Sequence, residues 1–137
     1  MAAVKDLISI ESDGSISFGN YTLEEKAKIE DFKYNGDLLK VKTFKTMTKL
    51  ENNGMFVYES VPGTSVSHFV EREDGVSFLV EGAADAQLTI GLEDDTDYHI
   101  AIDGKDAGTV KTGLGGKLNV SVELSGAEGV NVAVLRA

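Results

Sequence analysis

Between Ser65 and Leu135 apolar residues return at every second position over short runs. Val76, Phe78 and Val80 do so in VSFLVE, as do Leu88, Ile90 and Leu92 in QLTIGL and Leu118, Val120, Val122 and Leu124 in KLNVSVEL. Side chains of an extended strand point to alternate faces, so a period of two predicts strands with one buried and one wet face. SVSHFV, YHIAI, AGTVK and VNVAVL read as further strands, and the core of this half is expected at Val76, Phe78, Val80, Leu88, Ile90, Ile100, Leu118, Val120, Val122 and Val132.

The N-terminal half carries weaker signals of the same kind. A strand from Asp6 to Glu11 pairs with Ser15 to Phe18, LLKVKTF alternates Leu39 and Val41 with Lys40 and Lys42, and TMTKLE and MFVYESV flank Asn53-Gly54. Two-residue hairpin turns are expected at Asp13-Gly14, Asn35-Gly36, Asn53-Gly54, Asp74-Gly75 and Asp103-Gly104, because a type I′ turn needs positive φ at both central residues. Gly115-Gly116 is a sixth candidate. The one ambiguous segment is TLEEKAKIEDF. Thr22 with Glu25 fits a helix N-terminus, whereas so short a helix before Asn35-Gly36 is marginal in isolation. At most one short helix, near residues 22–31, is expected.

Together these elements predict an all-β chain, an antiparallel β-sandwich or barrel. The only proline, Pro62 in VPGT, suits a turn or a crossing at a sheet edge. It divides the chain into an N-terminal β-hairpin region, 1–61, and a C-terminal β unit, 62–137, the first packed on the second or continuous with it.

Charge sharpens this picture. The net charge is −10, with −2 in residues 1–61 and −8 in residues 62–137, so the halves present different surfaces. An acidic chain lacks the basic face that phosphate binding needs, which argues against a nucleic-acid partner. The apolar runs are far shorter than the roughly 20 residues of a membrane-spanning helix, so no membrane insertion is expected. No cysteine is present, hence no disulfide or thiolate metal site. MAAVKDLISI lacks the basic region and long apolar segment of a secretory signal, which predicts a cytoplasmic protein or one exported by an unconventional route.

Candidate chemistry is sparse. Glu93, Asp94, Asp95 and Asp97 form the densest acidic cluster and a weak calcium candidate, but they lack EF-hand spacing, and a solvated turn explains them. His68 shares parity with Val66 and Val70, which predicts it inward, while His99 is predicted outward, so no shared metal site is expected. No serine stands in a nucleophile-elbow motif, and the glycines at 113, 115 and 116 follow no phosphate-binding spacing. Glu24-Glu25 and Glu71, Glu73 and Asp74 read as surface charge rather than acid/base pairs. Phe56, Tyr58, Phe69, Phe78 and Tyr98 read as core or cross-strand packing, with Tyr21, Tyr34 and Tyr58 the candidates for contact with a glycan.

The run from Tyr98 to Leu135 resembles the small immunoglobulin-like sandwich modules found beside many bacterial enzymes. The likeness rests on Tyr98 and Ile100 before Asp103-Gly104, Gly108 and Thr109 after it, then Gly116, Leu118 and a closing Val-x-Val. It implies an immunoglobulin-like C-terminal half, without the Cys and Trp of antibody domains. The whole chain, through VKDLISIESDGSISFGNYTLEEKAKIEDF and NGMFVYESVPGT, resembles short uncharacterised clostridial-type bacterial proteins sometimes labelled endosialidases. Sialidase-like catalysis would imply an arginine cluster on the substrate carboxylate, whereas this chain has Arg72 and Arg136 alone, and Ser12-Asp13-Gly14 stops short of an Asp-box.

The reading that follows is a non-enzymatic structural or interaction protein, without cofactor, that self-associates as a homo-oligomer through β-rich surfaces. A glycan- or other ligand-binding sandwich is the alternative, and an endosialidase-like hydrolase the least favoured. Lys40, Lys42, Lys45 and Lys49 gather positive charge that a head-to-tail neighbour's acidic loop, Glu93 to Asp97, would meet. Alternatively, these lysines blunt an edge strand.

Overall fold

The computed structural model describes residues 7–124 and 129–137, so Asp6 lies outside the described residues. Thirteen strands form: β1 (Ile8–Ile10), β2 (Ile16–Phe18), β3 (Ala27–Tyr34), β4 (Asp37–Thr43), β5 (Thr48–Asn52), β6 (Met55–Val61), β7 (Ser65–Arg72), β8 (Gly75–Glu81), β9 (Ala86–Gly91), β10 (Asp97–Ile102), β11 (Lys105–Lys111), β12 (Lys117–Val122) and β13 (Val130–Arg136). They build two antiparallel sheets, a seven-stranded one in the order β1-β2-β7-β8-β13-β10-β11 and a six-stranded one in the order β12-β9-β6-β5-β4-β3. The two pack face to face as a β-sandwich, and all ten core residues expected in the C-terminal half are buried between them, whereas Phe56 is only half-buried, its ring under the Lys117 ammonium at 4.7 Å.

Both sheets draw strands from each side of Pro62, which follows a cis peptide bond where the chain leaves β6 for the other sheet at β7. Residues from the two sides therefore share one apolar cluster. At its centre four rings close a cycle. Phe18 meets Tyr58 and Phe69 at 5.4 and 5.6 Å between centroids, and Phe78 meets the same two at 5.6 Å. Tyr58 on β6 thus joins the six-stranded sheet to three rings of the other, in the offset and edge-on geometries that aromatic pairs prefer.

Three of the expected hairpins hold. Asn35-Gly36, Asn53-Gly54 and Asp103-Gly104 each have positive φ at both residues and join directly paired strands. Three others differ. The β1–β2 loop is longer, closed by Gly14 N–H donating to the Glu11 carbonyl at 3.0 Å. The β7–β8 turn is Glu73-Asp74, with Arg72 facing Gly75, because Gly75 is needed inside β8, where a Cβ would collide with the Val134 carbonyl oxygen. Gly115-Gly116 lies on the crossing from β11 to β12, between sheets rather than in a hairpin. The ambiguous segment from Thr22 enters strand β3 at Ala27, since pairing with β4 supplies the backbone partners a two-turn helix would lack.

Candidate functional site

An antiparallel sandwich exposes unpaired peptide groups at its sheet edges, and proteins usually blunt them. Here the edge strands are β1, β11, β12 and β3. β1 has only three residues. β3 is bent by a register shift between Ile29 and Phe32, with Asp31 at φ 57°. β11 faces a register shift between His99 and Ala101, and its Gly108, at φ 106°, donates its N–H to Asp106 Oδ1 at 2.7 Å. Each of these edges is interrupted or short.

β12 is not. It pairs with β9 from Lys117↔Gly91 to Val122↔Ala86 with no shift, and it contains no glycine, proline or positive φ. The alternation in KLNVSV explains its regularity: Leu118, Val120 and Val122 are buried, while Lys117, Asn119 and Ser121 face solvent, as does Glu123 just beyond. The phase of its peptide groups follows from the Leu92 N–H, which donates to the Gly116 carbonyl at 2.8 Å. Even-numbered residues therefore turn their peptide groups toward β9, and Lys117, Asn119 and Ser121 turn theirs to the open edge. Leu124 keeps this phase, its N–H donating to Asp85 Oδ1 at 3.1 Å. On the outer face a polar ladder reaches the edge, with Gln87 Nε2 donating to Ser121 Oγ at 2.7 Å and Thr89 Oγ1 to Asn119 Oδ1 at 2.9 Å.

A second surface lies on the outer face of the seven-stranded sheet. Ala101, Ala133, Ser77 and Val70 are successive cross-strand partners, so small side chains line a groove of about 440 Å³ bounded by His68, Leu79 and Asn131. His68 corrects the parity expectation. A bulge in β7 places it at φ 53° and turns its side chain outward, while Val66 and Phe69 on either side are buried. Its Nδ1 lies 3.2 Å from Ser15 Oγ and 3.5 Å from Asp13 Oδ2, and Ser15 Oγ donates to Asp13 Oδ1 at 2.5 Å. Hydroxyl and carboxylate meet the same ring nitrogen, so the ring does not relay a proton between them as a catalytic triad requires. The two hydrogen bonds from Ser15, more than the charge of His68, hold the Asp13 carboxyl below the usual range. His99, outward as expected, lies near Asp106 at 3.5 Å and three strands from His68, about 14 Å by strand spacing.

The charged clusters are countered in part within the chain. Lys40 lies 3.9 Å from Glu30, Lys45 3.1 Å from Glu24 and Lys49 3.3 Å from Glu51, while Lys42 sits between Lys28 and Lys49 in the register. Lysines hold the Glu30 carboxyl low, the Lys28 hydrogen bond foremost. In the acidic loop Glu93 reaches Arg136 at 3.7 Å and Asp95 reaches Lys111 at 3.5 Å. Among the described residues no three His, Cys, Asp or Glu side chains converge as a metal site. Glu71 is exposed at its outer side, yet partial desolvation at the cleft it shares with Asn52, Asn53, Met55, Phe56 and Lys117, and then the charge of Asp37, push its carboxyl up.

No family model, curated protein or solved structure matches this chain.

Of the tyrosines considered for glycan contact, Tyr58 is fully buried, and Tyr34 donates its hydroxyl to the Gly14 carbonyl at 2.6 Å. Sequence reasoning missed the bulge at His68, for which no local signal exists, and did not single out β12. The even alternation from Lys117 to Glu123, free of glycine, is the signal that marks it as a flat strand.

Proposed function

We propose that this chain is a non-enzymatic structural module that self-associates by strand addition at the β12 edge. One observation carries the reading: three edge strands are short or bulged, and β12 alone among the described edges offers a regular row of outward peptide groups. Backbone pairing at such an edge supplies direction and affinity together. The lysine and acidic clusters, in which Lys40, Lys45, Lys49, Glu93 and Asp95 are already paired within the chain, serve better to keep copies soluble than to join them. The same reading takes the sandwich as immunoglobulin-like and akin to the clostridial-type proteins its sequence resembles.

Sedimentation equilibrium of the pure protein tests it. We expect a concentration-dependent oligomer that Asn119→Pro disperses, because that substitution removes an outward N–H and spares the backbone hydrogen bonds to β9, at the cost of the Thr89–Asn119 side-chain contact. An unchanged far-UV circular dichroism spectrum establishes that the variant folds. A wild-type protein that stays monomeric at high concentration refutes the proposal.

A glycan-binding reading is favoured by the outer-face groove, whose small floor between His68 and Asn131 would admit a flat ring. Binding on a glycan array, lost in His68→Ala, would support it.

A further inference from the structure

We infer that two copies pair β12 with β12 antiparallel about a two-fold axis at Val120, in the register where facing residue numbers sum to 240. This rests on the self-association proposed above and specifies its geometry.

The register follows from three constraints. Outward peptide groups belong to odd-numbered residues, so odd residues must face odd ones and the sum must be even. A sum of 238 places Lys117 against Ser121 and Asn119 against its own copy, leaving Glu123 beyond the paired strand. A sum of 242 sets Asn119 against Glu123 and leaves Lys117 unmatched within the strand. At 240 every residue from Lys117 to Glu123 is used. Lys117 faces Glu123 of the second copy and Asn119 faces Ser121, each twice by symmetry, on the outer face. Leu118 faces Val122 and Val120 faces Val120 on the core side. Opposite charges and hydrogen-bonding pairs thus coincide with the backbone phase, and like charges never meet. The Thr89–Asn119 and Gln87–Ser121 ladders of each copy continue across the junction, making one sheet of two six-stranded halves. Because the same patch serves both copies, the contact closes as a dimer and does not propagate.

The chain's lack of cysteine makes the register directly readable. Single variants Asn119→Cys, Val120→Cys and Ser121→Cys in the full chain place like residues opposite one another at sums of 238, 240 and 242. Facing Cα atoms about 4.5 to 5.5 Å apart fall within disulfide reach. We expect oxidation to cross-link Val120→Cys fastest. In parallel, Lys117→Glu or Glu123→Lys alone should weaken dimerisation about 5- to 30-fold, and the double variant should restore it, a readout that needs no change in the core. Preferential cross-linking at 119 or 121, or charge reversal without rescue, overturns the register while leaving self-association standing. A dimer that none of these substitutions nor Asn119→Pro disturbs overturns the β12 edge, and a monomeric wild type overturns both proposals.

Discussion

Thr48→Val isolates the polar part of the core. Thr48 is fully buried, and its Oγ1 donates to the Thr64 carbonyl at 2.8 Å while accepting the Thr64 N–H at 3.0 Å. Its single proton is thereby spent, so at the 2.8 Å contact with Thr43 the Thr43 hydroxyl is the donor, and Thr43 in turn accepts the Asn20 N–H at 2.8 Å. Valine matches threonine in volume, which removes any cavity contribution. What remains is two buried donors, the Thr64 N–H and the Thr43 hydroxyl, deprived of their acceptor, and the Thr64 carbonyl deprived of its donor. At about 1 to 3 kcal/mol for each unsatisfied group, the two donors alone set an expected loss of roughly 2 to 6 kcal/mol. That is a large share of the about 5 to 15 kcal/mol typical of a domain. Urea titration followed by circular dichroism measures it. Ser65→Ala is the control, since Ser65 Oγ is buried without a hydrogen-bond partner and its removal should change stability by less than about 0.5 kcal/mol. A loss below about 1 kcal/mol for Thr48→Val, or equal losses for both, would show that the hydroxyl chain from Thr43 through Thr48 to Thr64 contributes little to stability.

Three further outcomes are expected. Phe78→Ala removes a ring that touches both Tyr58 and Phe69, and urea titration should show a loss of about 3 to 5 kcal/mol, with less than about 1 kcal/mol placing Phe78 outside the core. Gly75→Ala forces a methyl against the Val134 carbonyl oxygen and should lower the thermal midpoint, whereas Gly36→Ala meets open space and suffers only its positive φ. Glu71 has a raised native pKa, so its ionisation opposes folding: the penalty is absent below the unfolded value, near pH 4.3, and grows as pH rises toward the native value. Glu71→Gln should therefore stabilise the protein at pH 7 and leave it unchanged at about pH 3.5 by thermal melting; equal effects at both would contradict this linkage.

Strand existence was legible because period-two alternation is local: Leu118, Val120 and Val122 announce their face without reference to any partner. Turns were legible where two residues suffice, as at Asn53-Gly54, and misplaced at Asp74-Gly75, because the dipeptide does not report that Gly75 must pack under the Val134 carbonyl. Parity failed at His68 for a related reason, since one extra residue in a bulge inverts every face after it and leaves no compositional mark. The hydroxyl chain escaped notice because Thr43, Thr48 and Thr64 come from separate segments that only the assembled sandwich brings together. Edge identity is likewise a property of the whole topology. Nothing in KLNVSV states that a strand pairs on one side only, so the candidate contact became visible only with the sheet order.

The position of β13 bears on how the chain is made. It lies in the interior of its sheet, between β8 and β10, and Val80 waits for Val130 some 50 residues further on. At about 5 to 20 residues per second, a ribosome takes roughly 3 to 10 s to deliver that partner. During this interval β8 and β10 both present open edges, and the half-built sheet is a template for a neighbouring nascent chain. Crowded polysomes are thus the setting in which this protein is most exposed to mispairing, and slowing translation beyond residue 80 should lower its soluble yield.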